Sequence, residues 1–502
     1  LSNINYNDID VISNGFAQDV IRAQKNGYLA QAQNGVFNPA FNPNIPGSQP
    51  LPVFSQIQAG GLLNNPTIRQ LIQQGRAADL GQIYFINGFG GSGIFVPNPS
   101  TFFSLVLGND AFSDYNALQV EVRRRFSKDF GFQANYTFSK AYGFGVGTQQ
   151  QRQDFPFDVN NVNYDKRRLL FDTTHNLKAN ATYELPFGSG KWLDPENGIV
   201  DKLVGGWEVT SIISWHTGAP ISVNSNFGLF RPGSTQVNSS LSADQIRDLL
   251  GVYERDGQLY YIDPSVIGPD GRAVAPPGQD PFPGQAFFLP GPGELGTLQF
   301  LQFNAPPVFN WDASLIKNID ITETVNAQLR FEFFNVLNTP IFFLTSQDVN
   351  STTFGRITQT LNAPRVVQVA ATGVTKPARG HVAIVHAEAG WLKNPLPGAE
   401  FDLGLGSGPR AFRSHAFTGD RTVFATAEYR VTVANDFLGL MGLGIAGFVD
   451  HGGVPPPDPH LRDHQPPSHR RAGRRAEGRS SGKQSSHRSS AAPDGARNAV
   501  DD

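Results

Sequence analysis

Cysteine is absent from the 502 residues, so the chain has neither a disulfide framework nor a thiolate metal site. Charge is scarce as well. Asp, Glu, Lys and Arg make up 17% of the sequence and hydrophobic residues 39%, both low for a soluble enzyme of this size. The net charge of −3 gives no global attraction for nucleic acid. No apolar run reaches the roughly 18 residues of a membrane-crossing helix. The best run, 437–449, is short and interrupted by glycine. No signal-peptide pattern is visible. The only methionine is Met441 and the chain opens at Leu1, so it reads as a processed product or, preferably, a fragment. Gly (53), Phe (39) and Pro (36) are plentiful instead, a composition that suits short strands and turns.

Catalytic motifs are missing too. There is no HExxH, no GxSxG and no carboxylate pair with a supporting base, so the chain is read as no enzyme and as using no cofactor. "GFGGSG" places Gly88, Gly90 and Gly93 at dinucleotide-loop spacing. A nucleotide site needs a helix directly after that loop, to aim its amides at the pyrophosphate. "IFVPNPS" follows, with two prolines, and a flexible loop is the reading. "GSGK" at 188–191 lacks the upstream Gly and the following Ser/Thr of a phosphate loop and reads as a turn.

Residues 1–110 are rich in Asn, Gln, Gly and Pro. Short helices are predicted at 16–32 and 66–78, the second started by Asn65-Pro66-Thr67. From 117 the texture changes. In "GFQANYTFSK", Phe132, Ala134, Tyr136 and Phe138 alternate with Gln133, Asn135, Thr137 and Ser139. The same two-residue period sets Leu118, Val120 and Val122 against Gln119, Glu121 and Arg123, and Leu177, Ala179, Ala181 and Tyr183 against Asn176, Lys178, Asn180 and Thr182. It returns in "WEVTSIISWH", "FNWDASLIK" and "VNAQLRFEFFN", where the doubled aromatic at Phe334 marks a strand end, and a last strand is expected within 356–370. Each apolar set needs a greasy partner, either a protein core or lipid.

Three features favour lipid. The segments are about 9–11 residues long, as in tilted membrane strands. Aromatics gather near segment ends (Phe126, Phe138, Tyr183, Trp207, Trp215, Phe309, Phe333). Connections alternate between short (127–131, 318–324), medium (186–206) and long (141–174, 218–308). A soluble β-sandwich tolerates the alternation but not such long loops.

The blocks "YNALQVEVRRRFSKDFGFQANYTFSKA", "DTTHNLKANATYELPFG", "GGWEVTSIISWHTGAPISV" and "NWDASLIKNIDITETVNAQLRFEFFNVLNTPIFF" resemble, in order, the C-terminal barrel of TonB-dependent outer-membrane receptors, nearest the Oar-like subgroup. The resemblance covers about 1–370. It implies a bacterial outer-membrane barrel of about 22 strands with an internal plug. It also implies an energising TonB-type partner and uptake of a scarce, bulky ligand, whose identity the sequence does not carry. This sequence contains neither plug nor partner-binding box, and about seven strands by its pattern.

The block 381–453 resembles instead the barrel end of the outer-membrane assembly and surface-antigen superfamily. That family carries a Gly-x-Arg-Gly-Phe/Tyr loop whose Arg tucks into the lumen. Here Gly408, Arg410 and Phe412 match it, with Ala411 replacing the second Gly. "FVDHGG" matches that family's strand end, and Asp450 reads as a lumen-facing structural charge.

The expected fold is therefore all-β, a partial antiparallel transmembrane barrel. It divides into an extracellular loop region (1–116), receptor strands (117–370), a junction of two gene pieces (371–380), a second barrel fragment (381–453) and a tail (454–502). The tail contains no Phe, Trp or Tyr, holds eight Arg against one Lys, and is expected to be disordered. Its composition is that of a shifted reading frame rather than a nucleic-acid arm. His460 and His464 have no further ligand beside them in so open a segment, so no metal site is expected there. Two functions follow: a receptor or transporter barrel, or alternatively an outer-membrane assembly or surface-antigen module. Because the two strand blocks belong to different families, two separate sheets are expected, and a chain that neither closes nor transports on its own.

Overall fold

The computed structural model describes residues 2–109, 111–144, 156, 159, 161–195, 197–232, 235–362, 364–392, 401–403, 417–437 and 441–454. Ten long strands dominate them: β1 (Ser113–Ser127), β2 (Phe130–Gly143), β3 (His175–Glu184), β4 (Trp207–His216), β5 (Val308–Thr322), β6 (Val325–Phe334), β7 (Val366–Ala378), β8 (His381–Leu392), β9 (Arg421–Phe437) and β10 (Met441–Gly453). They pair in chain order as one antiparallel sheet, β1 to β10, with the two-residue strand Arg167–Arg168 added beside β2. Each strand is therefore hydrogen-bonded to its neighbour in sequence, the topology of an up-and-down barrel wall. Among the described residues, β1 and β10 pair on one side only. No helix among them is long and apolar enough to cross a membrane, which says nothing of strands.

The alternation keeps its phase from strand to strand. Val122, Ala134, Ala179, Ile213 and Trp311 lie opposite one another across β1 to β5. Phe331, Val369, Ala389 and Val423 continue the same face across β6 to β9. The reverse face carries Glu121, Asn135, Lys178, Ser214 and Asn310 in one row, and Gln328, Thr372, His386, Thr426 and Asp450 in another. Asp450 thus faces as expected, and its carboxylate accepts from the Thr426 hydroxyl at 2.7 Å.

Exposure decides what the apolar face meets. Leu118, Val122, Val385 and Val449 are 61%, 52%, 60% and 73% exposed, so no protein core covers them. The polar face instead bonds to itself. Gln368 and His386 both reach the Glu388 carboxylate, at 3.0 and 3.3 Å, and the Thr372 hydroxyl meets His386 Nδ1 at 2.8 Å. Two polar groups on the apolar face are satisfied locally. Trp311 Nε1 donates to Ser211 Oγ at 2.8 Å. Lys317 folds back under the Trp207 ring and donates to the Gly205 carbonyl.

The expectation of two separate sheets is overturned. β7 runs through the supposed junction to Ala378, turns at Arg379-Gly380, and returns as β8. Gly380 sits at φ +79°, the left-handed turn geometry glycine adopts without strain. β7 pairs with β6 on one side and β8 on the other, so both blocks share one hydrogen-bond network. The blocks join because both obey the same two-residue phase, whatever family each resembles. The final strand expected within 356–370 is also displaced: Arg356–Thr360 belongs to another sheet, described below, and β7 starts at Val366. The tail beyond 454 and the Gly408, Arg410, Phe412 loop lie outside the described residues.

At one end of the sheet the connections are tight. Lys128-Asp129, with φ +51° and +65°, joins β1 to β2, and Glu323-Thr324 joins β5 to β6. At the other end lie the long connections 144–174, 217–307, 335–365 and 393–420.

If the apolar face meets lipid, an arginine there is costly and one on the polar face is not. Ala134→Arg or Ala181→Arg is expected to cost roughly 2–4 kcal/mol near the bilayer midplane and Asn135→Arg little. Unfolding measured in lipid vesicles reads both, and equal tolerance on the two faces refutes the assignment.

Candidate functional site

The long-connection end builds a second layer of structure. Residues 2–108 form a helical unit closed by the pairing of Ser2–Asn5 with Leu105–Gly108. Helix α1 (Phe16–Asn34) falls where one is predicted, whereas the helix expected over 66–78 ends early as α2 (Pro66–Gln73) and a separate helix, α3 (Ala77–Ile86), follows after a break at 74–76. Asn65 caps α2, its side chain accepting from the Thr67 and Ile68 amides. Phe16, Phe54, Tyr84 and Phe95 interlock at the centre of this unit, with ring centroids 4.7 to 6.4 Å apart. Buried Asp19 holds the segment entering that core, accepting from the Val53 and Phe54 amides at 2.6 and 3.1 Å. The Gly88–Gly93 stretch is a turn leading to a single 3-10 turn, Ser92–Phe95, in keeping with the loop reading. "GSGK" is likewise a turn: Lys191 bridges Glu184 and Asp129 at 2.9 and 3.2 Å, at the tight-turn end.

A second core draws on two connections at once. Ile221, Val237, Ile246, Tyr260, Ile262, Phe287 and Phe303 come from the 217–307 connection, and Val349, Phe354 and Ile357 from the 335–365 connection. A four-stranded sheet joins them, in the order Leu250–Arg255, Gln258–Ile262, Arg356–Thr360, Phe342–Leu344. The two cores are clamped together. The Ala78 amide donates to the Gly228 carbonyl at 3.0 Å, the Gly228 amide to Asp79 at 2.8 Å, and Arg231 pairs with Asp8. Burial lowers the Arg231 guanidinium to about 10, still charged at neutral pH. Three stretches far apart in sequence thus form one cap over the long-connection end of the wall.

Where this cap meets the wall there is a cavity of about 700 Å³. The wall contributes Lys140, Tyr142, Thr174 and His175. The cap contributes Arg247 on α4 (Ala243–Asp248), together with Leu250, Tyr261 and 299–304. Arg168 completes the lining. It reaches Asp172 at 2.8 Å and Asn304 Oδ1 at 2.6 Å, stitching wall to cap. Asp172 also accepts from the Ala141 amide at 2.7 Å. Lys140 Nζ donates to the Thr174 hydroxyl at 2.9 Å. Burial pushes the Tyr261 phenol up to about 12, so it stays neutral. Among the described residues, none of the lining side chains is acidic, whereas three, Lys140, Arg168 and Arg247, are basic.

Sequence reasoning missed these residues. Gly408, Arg410 and Phe412, which the sequence singles out, lie outside the described residues. The available signal was Lys166-Arg167-Arg168, a basic run inside a connection too long to be idle, and Lys140, a cation closing an aromatic strand. Among the described residues, no group of three or more His, Cys, Asp or Glu could hold a metal ion.

A family model described as an outer membrane beta barrel domain matches residues 30–368. The solved structure of the Pseudomonas putida toluene transporter TodX is similar over 68% of this chain and 73% of its own, at 9% identity and a TM-score of 0.20, and so bears on neither ligand nor mechanism. No curated protein matches the chain.

A methyl group at Gly228 collides with the Asp79 carboxylate that receives the Gly228 amide. Gly228→Ala is therefore expected to part the two cores. Limited proteolysis should cut faster around 226–231 while the wall keeps its heat-modifiable gel mobility. An unchanged cleavage pattern shows that the clamp does not hold the cap.

Proposed function

The chain belongs to the outer membrane beta barrel domain family, and we propose that within it this protein is the wall and ligand-selecting cap of a TonB-dependent receptor of the Oar-like kind. Its location is the bacterial outer membrane, with the apolar face of the sheet against the bilayer. In such barrels short turns face the periplasm and long connections face outward. The cap therefore stands outside the cell, where a bulky ligand first arrives.

The observation that carries the reading is the cap itself. A barrel needing only to span the membrane has no use for two hydrophobic cores and a four-stranded sheet built from its outward connections. Loops held this firmly form a preorganised surface, which lowers the ordering cost of binding. The polar inner face, with its Gln368–Glu388–His386–Thr372 network, suits a hydrated passage or a packed plug. Energy from a TonB-type partner is part of the proposal, because an outer membrane sustains no ion gradient of its own. The segment 381–453, which resembles assembly and surface-antigen barrels, supplies three more wall strands in the same register, and no separate activity is assigned to it.

Depletion of solutes from the medium by cells with and without the gene tests this reading, run with and without an uncoupler of the proton gradient. The expected result is gene-dependent loss of one bulky solute that stops when the uncoupler is added. Identical depletion in both strains refutes a receptor; uncoupler-resistant depletion refutes the energised partner.

A further inference from the structure

The connection 185–206, between β3 and β4, is longer than the other turns at its end of the wall. It bonds its own polar groups. The Ser189 amide donates to Asp201 Oδ1 at 2.6 Å and the Gly205 amide to the Asp201 carbonyl at 2.7 Å. Asn197 caps the helix Gly198–Val204, its side chain accepting from the Ile199 and Val200 amides. The large apolar side chains stay outside. Trp192, Ile199 and Leu203 are 82%, 75% and 66% exposed, and Leu193 and Val200 are exposed as well. Ile199 and Leu203 stand four residues apart, Val200 and Leu203 three, so they share one side of the helix. A helix of seven residues does not persist in water on its own. A segment that satisfies its polar groups and turns its apolar ones outward is shaped to meet an apolar partner.

The wall identifies that partner. Trp207, of the apolar phase on β4, donates from Nε1 to the Leu203 carbonyl at 3.3 Å. Lys317, opposite Trp207 on β5, donates to the Gly205 carbonyl. Lys202 Nζ donates to the Ile321 carbonyl at 3.2 Å, near the end of β5. Side chains on the lipid-facing side of the wall thus tether the helix, and its exposed apolar residues stand beside that face. We propose that the 185–206 connection is a membrane foot: Trp192 and the Ile199–Val200–Leu203 side of the helix lie in the inner leaflet of the outer membrane, next to the wall. A helix lying flat at that boundary sinks its apolar side about 5–10 Å into it. Tryptophan suits the same depth, with an apolar ring and an N–H for the headgroups. The foot holds the wall at a fixed depth. It rests on the reading of the apolar face as the bilayer face and of the tight-turn end as periplasmic.

Because the chain has no cysteine, a spin label can be placed at one position at a time. Ile199→Cys, Leu203→Cys, Ala134→Cys and Glu323→Cys are each made in the full chain. Each is reconstituted into vesicles of phosphatidylethanolamine and phosphatidylglycerol with no other protein. Collisions of the label with oxygen report hydrocarbon, and collisions with a water-soluble nickel chelate report solvent. Ala134, on the apolar face, and Glu323, in the β5–β6 turn, mark the two ends of the scale. Labels at 199 and 203 are expected to favour oxygen over nickel severalfold more than the label at 323. Water-like values at 199 and 203, with 134 in hydrocarbon, overturn the foot and leave its surface to a soluble partner. Shielding of 199 and 203 from both reagents overturns it in favour of a protein cover. A water-like label at 134 overturns the bilayer reading of the wall, and the foot with it.

Discussion

Everything in this molecule hangs on one constraint: a backbone amide or carbonyl facing hydrocarbon must find a partner, because leaving it bare costs several kcal/mol. A strand meets that demand only through its neighbours. Once neighbours pair, the two-residue alternation decides which side each side chain takes. Ten strands obey a single phase, and a slip of one residue anywhere would turn Glu121, Lys178 or Arg330 toward lipid. Two of the polar residues on the apolar face show how the demand is met. Ser211 accepts from Trp311 across the wall, and Lys317 donates to the Gly205 carbonyl in the connection just before β4.

The same constraint explains why the two ends differ. At the tight-turn end only the 185–206 connection, with its short helix Gly198–Val204, is long, and there Lys191 gathers Asp129 and Glu184 into a small surface cluster that lifts its own pKa, mainly through the Glu184 hydrogen bond. Beyond the other end the connections exceed what bridging two adjacent strands requires. Long chain in water must bury its own apolar residues or stay unfolded. Here it buries them jointly: Phe287 from one connection meets Phe354 from another at 6.0 Å. The Asp8–Arg231 pair and the Asp79–Gly228 hydrogen bond then lock the helical unit to its neighbour. The second core exists only because two connections contribute to it, whereas the helical unit closes a core of its own.

The sheet also carries an open demand. β1 and β10 each present a row of backbone groups that, among the described residues, no strand meets. All fifteen residues of β1 are exposed. In a bilayer such edges require partner strands, whether from further chain or from another copy.

Much of the wall was legible beforehand, because alternation is local: Phe132 to Ser139 declare their faces with no knowledge of a neighbour, and Phe334 announces its own strand end. Asn65 likewise declares a helix start. The expectation of two separate sheets, drawn from two family resemblances, fails across residues 371–380. A resemblance reads segments by ancestry, while β7 and β8 pair because their phases match and Gly380 can turn. Nothing local in Lys140, Arg168 and Arg247 says that they converge, since they stand on a strand, in a connection and on a cap helix. The sequence by itself determined which residues share a face, because that depends on the backbone period alone. Only the tertiary structure decided which connections fold together and that Lys140, Arg168 and Arg247 line one cavity, because contacts across a hundred residues depend on closing loops, not on neighbours in the chain.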